Sequence, residues 1–454
     1  MNYLRNPSIY FIIIAIAFVL HSFHFKFVCD DAFISFRYAK NFINGHGLVW
    51  NIGEQPPVEG YTNFLWVIVI SLFMKMGFEP VMFSKILGIF FGLWCVFLTY
   101  LFSEIILQRK SFLNLIAPVI LTCSSPFAIW STGGLETQMF TFFTLAAGII
   151  YLYEIQHNKI TSLSAILFAL ASLTRPEGVL IFGVTCLHRF FHLLLMKRSL
   201  FCRKTLIWLL TFIIIYFIYF YWRFNYYGFI FPNTYYAKTG GGLHQLWRGC
   251  IYLKRFILFT KWPILTGLSF LSLFTSSRSI LIYLLMLTIS FSVYIVYIGG
   301  DFMKMFRFFV PILPLMAILV QEGIISLNQW FSRLINRPFV KISVIACCSF
   351  IFIISLTMEF TATLKGRKHP PRGRKQVARG GIARGKWLRQ HASPDETVAA
   401  LAIGAISYYS ELNTIDRFGI TDIHIANTKM PHVGKGVPGH EKHNLSYILS
   451  RKPT

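Results

Sequence analysis

Apolar positions in this chain fall in long blocks and show little of the alternation that marks a soluble core. The blocks span residues 8–28, 81–107, 111–130, 136–153, 160–174, 176–195, 205–224, 262–277, 279–298, 308–327 and 341–358. Most approach the ~20 residues that a helix needs to cross a hydrocarbon core of roughly 30 Å. A segment in lipid must satisfy its own backbone hydrogen bonds, so each block predicts a helix. The pattern predicts an all-α polytopic membrane protein with about eleven transmembrane helices. The first block follows Arg5 and lacks a small-residue cleavage site, so it is expected to be a retained span.

One further apolar run, 63–77 (NFLWVIVISLFMKMG), decides the topology. Cytoplasmic loops are enriched in Lys and Arg. Arg109–Lys110, Lys159, the Lys197–Lys204 cluster, Arg278 and Arg333–Arg337–Lys341 share the cytoplasmic side only if 63–77 does not cross. That run is then expected to be a helix at the outer surface, with the N-terminus inside and the C-terminus outside. Segments 29–62, 131–137, 174–178, 225–248 and 299–308 and the tail after 360 all fall on the outer side. Ionisable groups near membrane depth are costly and usually functional, so their gathering predicts one outward-facing cavity.

The first outer loop, 29–80, opens with DDAFISFRYAKNFINGHG. Ala32, Phe36, Ala39 and Ile43 fall at helical spacing before Gly45, which predicts an interfacial helix. Residues 1–360 are thus expected to form the membrane domain. Residues 361–386 lie in a tract rich in Lys and Arg and are expected to be a flexible linker held to lipid phosphates. Residues 387–454 read as a small extracytoplasmic α/β segment, too short to be stable alone with ease.

The net charge of +25 raises the question of nucleic acid. The cations sit in loops and in one tract beside apolar blocks, so the bilayer is the expected partner and nucleic acid is not. Eight cysteines without CxxC spacing make neither a disulfide framework nor a zinc site.

Candidate chemistry centres on Asp30–Asp31. One aspartate at a helix start is explained by capping. A second, beside like charge and against apolar surface, has a raised affinity for protons and suits general-base work on a sugar hydroxyl. The two roles are divided between Asp30 and Asp31, with Asp30 slightly favoured as the base. Both are also candidate ligands for a divalent cation. Glu59, Tyr61 and Asn63 of VEGYTN and Glu136 of STGGLET are candidate substrate contacts, although a carboxylate there also suits a helix N-terminus. Arg175 and Glu177 flank Pro176 and form either a local ion pair or an anion site. Asn233, Tyr236 and Lys238 of PNTYYAK, Asp301 and Arg307 of GGDFMKMFRF, and His440 of GHEK complete the candidate set.

These motifs, in order DDAFISFRYAKNFINGHGLVWN, VEGYTNFLW, STGGLET, LTRPEG, PNTYYAK, GGDFM–FRFFVPILP, IDRFGITD and GHEK, resemble the bacterial terminal β-arabinofuranosyltransferases. That family belongs to the GT-C superfamily of membrane glycosyltransferases, and the layout also resembles the lipid A aminoarabinose transferases. The resemblance implies a GT-C-like fold in the bacterial inner membrane and a polyprenyl-phosphate-linked sugar donor. It further implies a glycan or lipid acceptor at the outer face, inversion at the anomeric carbon, and Asp30–Asp31 as the acidic motif. Two departures stand out. Ile52 replaces a common proline, and the chain stops at Thr454 where family members usually continue. The rival expectations are a flippase for lipid-linked sugars and a catalytically silent scaffold. A flippase would usually show internal repeats, and none is visible.

Overall fold

The computed structural model describes residues 7–159, 161–197, 199, 202–259, 267, 270, 278–334 and 372–454. The expected spans 262–277 and 341–358 lie almost wholly outside the described residues, as do 361–371 of the expected linker.

The chain opens with α1 (Pro7–Phe25) and turns sharply, by 93°, into α2 (Asp30–Ile43). The short α3 (Phe64–Lys75) precedes α4 (Pro80–Ile105). A 3-10 turn at Phe112–Leu115, α5 (Ile116–Cys123) and α6 (Ser125–Trp130) follow. Next come α7 (Thr137–Gln156), α8 (Leu163–Thr174), α9 (Glu177–Leu195) and α10 (Arg203–Tyr227). After α11 (Asn233–Lys238) and α12 (Gly242–Phe259) come α13 (Arg278–Tyr297) and α14 (Leu313–Leu334).

Six helical stretches among the described residues are long and apolar enough to cross a membrane: α4, α7, α9, α10, α13 and 307–330. The bent α1–α2 pair would make a seventh. The expectation of about eleven is therefore too fine. Its block 111–130 is broken where Ser124 turns extended and Pro126 starts a new helix. Block 160–174 yields only the 12-residue α8, because Arg175 precedes Pro176 and is held in an extended conformation. The run 63–77 forms α3, whose 12 residues reach about 18 Å at the helical rise, well short of a bilayer core.

The bundle packs closely where side chains are small. α4 passes the backbone of Ser131 at Gly88 and the ring of Phe18 at Gly92, and a Cβ at either position would collide. At the end of the bundle away from the α1–α2 bend, Arg109 pairs with Glu322 at 2.6 Å, closing that end with a partly buried ion pair.

The C-terminal unit consists of α15 (Arg372–His391), β1 (Thr397–Ala400), α16 (Ile403–Ser410), β2 (Asn413–Asp416), α17 (Ile423–Asn427) and α18 (Leu445–Ser450). β1 and β2 pair in parallel, Thr397 opposite Asn413, with α16 as the crossover. Parallel strands require such a connection. The expected flexible linker is corrected here: from Arg372 onward it is a helix. Ala378 and Gly381 are buried on the face turned to α16, and a Cβ at Gly381 or Gly385 would press on Ala405, Ile406 or Tyr409. Small residues let the two helices touch, and Arg379, Arg384, Lys386 and Arg389 are exposed, with Arg389 paired to Glu411.

Candidate active site

Nine helix ends or connecting segments meet beside the α1–α2 bend and enclose a cavity of about 340 Å³. α2 places Asp31, Ile34 and Ser35 on its wall, one face of the helix at i, i+3 and i+4 spacing. Tyr61 and Asn63 come from the irregular segment before α3, and Glu136 from the turn into α7. Arg175 and Glu177 flank the break between α8 and α9. Lys238 ends α11, and Asp301 and Arg307 come from the loop before α14.

Most of the charges are already paired. The Arg175 guanidinium forks onto Glu177, at 2.6 and 3.2 Å, and reaches Glu136 at 2.9 Å. Glu136 accepts a further hydrogen bond of 2.8 Å from Asn63, which also exchanges hydrogen bonds with Ser35. Arg307 donates to Asp301 at 3.0 Å and lies over the rings of Trp130 and Phe308. Fixed ion pairs of this kind orient donors without consuming all of them.

Two lining groups stand apart. Among the described residues neither the Asp31 carboxylate nor the Lys238 ammonium makes a hydrogen bond or ion pair. Burial lowers the proton affinity of Lys238, Asp31 and Asp301 raise it, and Arg307 and Arg175 add to the lowering.

Asp30 faces elsewhere. Its two carboxylate oxygens accept the Gly404 amide at 2.9 Å and the Ala405 amide at 3.0 Å. It therefore caps α16, a helix far away in sequence, and not α2, whose N-cap is Cys29. Burial lifts its proton affinity, and the two amides oppose that shift.

Four further candidates do not line the cavity. Glu59 forms a buried ion pair with Arg223, 2.7 Å between Oε2 and Nη2. The Asn233 amide donates to the carbonyls of Gly419, Ile420 and Asp422. Tyr236 offers its carbonyl to Lys442. His440 packs its ring between Phe302 and Phe418. They hold the walls in place. Ser35, Thr234 and Tyr235 line the cavity from within the quoted motifs without having been singled out, and Tyr294 does so from α13; the period of α2 alone would have found Ser35, four residues after Asp31.

The donor set does not fit a divalent cation. Asp30 spends both oxygens on amides, Glu136 and Glu177 face Arg175, and among the described residues no three His, Cys, Asp or Glu side chains cluster.

The C-terminal unit forms part of the same architecture. Ile420 and Pro438 close one wall of the cavity. Residues 370–453 match the model of a domain of unknown function (DUF8728). No curated protein sequence matches the chain. Among solved structures, the fold is similar to ArnT from Cupriavidus metallidurans bound to undecaprenyl phosphate. The TM-score is 0.60 at 10% identity, over 90% of this chain and 85% of that one. The apo state of the same protein gives a TM-score of 0.57 at 11% identity, with the same coverage. The oligosaccharyltransferase of Archaeoglobus fulgidus, in its apo form, gives 0.57 at 10% identity, over 92% of this chain and 65% of that one. At such identities the likeness is one of fold. The chain is a mostly helical, multi-pass membrane protein with a fold similar to that of GT-C membrane enzymes.

Proposed function

We propose that the protein is a GT-C glycosyltransferase that moves a sugar, arabinofuranose-like or another, from a polyprenyl phosphate to a hydroxyl of a cell-envelope glycan or lipid. The reaction takes place at the outer face of the bacterial inner membrane, with the N-terminus inside and the C-terminus outside. One observation carries the reading. Of the carboxylates that line the cavity, Asp31 is the one not engaged by a cation or an amide among the described residues, and it shares that cavity with Lys238, Arg307 and Arg175.

Such an arrangement meets the two needs of the reaction. Asp31 takes the proton from the acceptor hydroxyl as its oxygen bonds to the anomeric carbon. The bond from that carbon to the phosphate oxygen breaks, and the electron pair leaves with the polyprenyl phosphate. Lys238, unpartnered, and Arg307, fixed by Asp301, stabilise the charge that develops there. A single displacement inverts the anomeric centre. Ser35, Tyr61 and Asn63 line the same cavity and supply part of the surface that meets the sugar.

The test is transfer from a radiolabelled undecaprenyl-phosphate pentose to a cell-envelope glycolipid extract by the purified full-length protein. Asp31→Asn is expected to lower the rate about 10²–10⁴-fold, the usual contribution of a general base, with folding intact. Full activity in that variant overturns the reading. Passage of the labelled lipid across proteoliposomes with no new glycosidic bond would favour a flippase instead.

A further inference from the structure

Asp30 is adjacent to the proposed base but belongs to a different environment, and that environment is made by the far end of the chain. α2 has two working faces. Asp31, Ile34 and Ser35 look into the cavity. Asp30, Phe33, Arg37 and Lys40 meet the C-terminal unit. Asp30 holds the N-terminus of α16, and Arg37 donates to the Ser407 carbonyl in its last turn at 2.7 Å. Between them the Phe33 ring contacts Tyr408 and Tyr409 at 5.8 and 5.7 Å. Two anchors on one face, seven residues apart, fix both the position of α2 along its axis and its rotation about that axis. The direction of Asp31, one residue and about 100° further round, is then fixed as well.

Lys238 is tied to the same unit. Asn233, at the start of the helix that Lys238 ends, holds the carbonyls of Gly419, Ile420 and Asp422, and Lys442 donates to the Tyr236 carbonyl at 2.7 Å. The elements that bear the free carboxylate and the free ammonium are thus fastened to one body.

Resting on the reading of Asp31 as the base, we propose that the C-terminal domain is a positioning element of the transfer reaction. Asp30 is the positioning residue: by capping α16 it fixes where Asp31 meets the acceptor hydroxyl. Misplacement of a catalytic group by ~1 Å can cost on the order of 10²-fold in rate. Asp30 touches no substrate, so its effect falls on turnover and leaves binding of the lipid phosphate alone.

The experiment compares Asp30→Ala, Asp30→Asn and Gly404→Ala with wild type and Asp31→Asn, all as full-length protein in detergent. Gly404→Ala leaves both carboxyl groups in place but sets a methyl group against the Asp30 carbonyl oxygen. Three quantities are read: kcat and KM for undecaprenyl-phosphate pentose, and the Kd for undecaprenyl phosphate. Asp30→Ala and Gly404→Ala are expected to lose about 10- to 100-fold in kcat, with Kd and KM within about threefold of wild type. In Asp30→Asn one of the two contacts to the α16 amides is lost, so kcat is expected to fall by a smaller factor, again with Kd and KM within about threefold of wild type. If Asp30→Ala does not fold, Asp30→Asn carries the test, since it keeps one acceptor oxygen. Wild-type kcat in Asp30→Ala and Gly404→Ala, with Asp31→Asn inactive, overturns the positioning role alone. Parallel loss of kcat and of undecaprenyl phosphate binding also overturns it, by showing a collapse of the whole site. Full activity of Asp31→Asn overturns the underlying reading of the base, whatever the Asp30 variants do.

Discussion

The Arg37 guanidinium lies 4.7 Å over the Trp50 ring while its Nε donates to the Trp50 carbonyl at 2.7 Å. Its remaining donors go to the Ser407 carbonyl, the Asn51 side chain and the Leu412 carbonyl. Trp50 and Asn51 continue the seam. The indole donates to the Thr414 carbonyl at 3.0 Å, and the Asn51 amide group both accepts from the Thr414 N–H and donates to its C=O. One side chain thereby replaces a neighbouring strand at the edge of β2. The first loop and the C-terminal unit share a continuous hydrogen-bonded boundary.

Replacing Arg37 with Ala removes a charged donor from three buried carbonyls and from the Asn51 side chain, and a hydrogen bond to a charged group contributes about 1.5–3 kcal/mol. A loss of about 3 kcal/mol or more is expected, seen as a lower Tm in detergent and faster proteolysis of residues 372–454. Arg37→Lys keeps the charge but not the planar fork, so it should recover only part of that loss.

Arg175 neutralises two buried carboxylates at once. Arg175→Ala leaves both without a cation and should cost about 3–5 kcal/mol. Adding Glu177→Gln removes one of the stranded charges and should restore part of the stability. Additivity of the two substitutions in a double-mutant cycle would argue against this coupling.

Lys238→Ala removes from the cavity an ammonium that has no partner among the described residues. A charge-assisted hydrogen bond contributes about 1.5–3 kcal/mol, so undecaprenyl phosphate should bind at least about tenfold more weakly. Titration followed by intrinsic fluorescence reads the change, and an unaltered Kd would remove Lys238 from the phosphate site.

Asp416 is buried at the end of β2 and accepts the amides of Phe418 and Thr421, yet burial pushes it up to about 6 from an ordinary 3.8. A carboxyl raised in the folded state binds protons more tightly folded than unfolded. Its contribution is therefore greatest below about pH 4 and declines as pH rises towards 6, by up to about 3 kcal/mol. The difference in Tm between wild type and Asp416→Asn across pH 4–7 should follow that slope. A constant difference would mean that the carboxyl titrates normally.

How far the sequence reached depended on the range of the interactions. Block 279–298 coincides with α13 to within a residue, and 81–107 with α4 nearly as well, because lipid imposes a length and a composition that can be read locally. The gathering of Glu136, Arg175, Lys238 and Arg307 was legible from loop charges alone. The division of labour between Asp30 and Asp31 was not, since the amides that occupy Asp30 belong to Gly404 and Ala405. Glu59 is a similar case: its partner Arg223 lies on α10. The helix from Arg372 was hidden by composition. Repeated Arg and Gly suggest a solvated tract, and only the packing of Gly381 and Gly385 on α16 explains why the chain coils there.

The grip of α2 on α16 also acts as a gauge. Asp30 and Arg37 are separated by about 10.5 Å of helical rise, and the eight residues of α16 span about 12 Å. Negative charge meets the positive end of that helix and positive charge meets the negative end, so only one length and one direction are accepted. An inserted or deleted residue within 403–410 would release one jaw and turn the rest of the helix by about 100°. Length variation in this domain should therefore collect in the turn between α15 and β1, where Ser393, Pro394 and Asp395 are exposed.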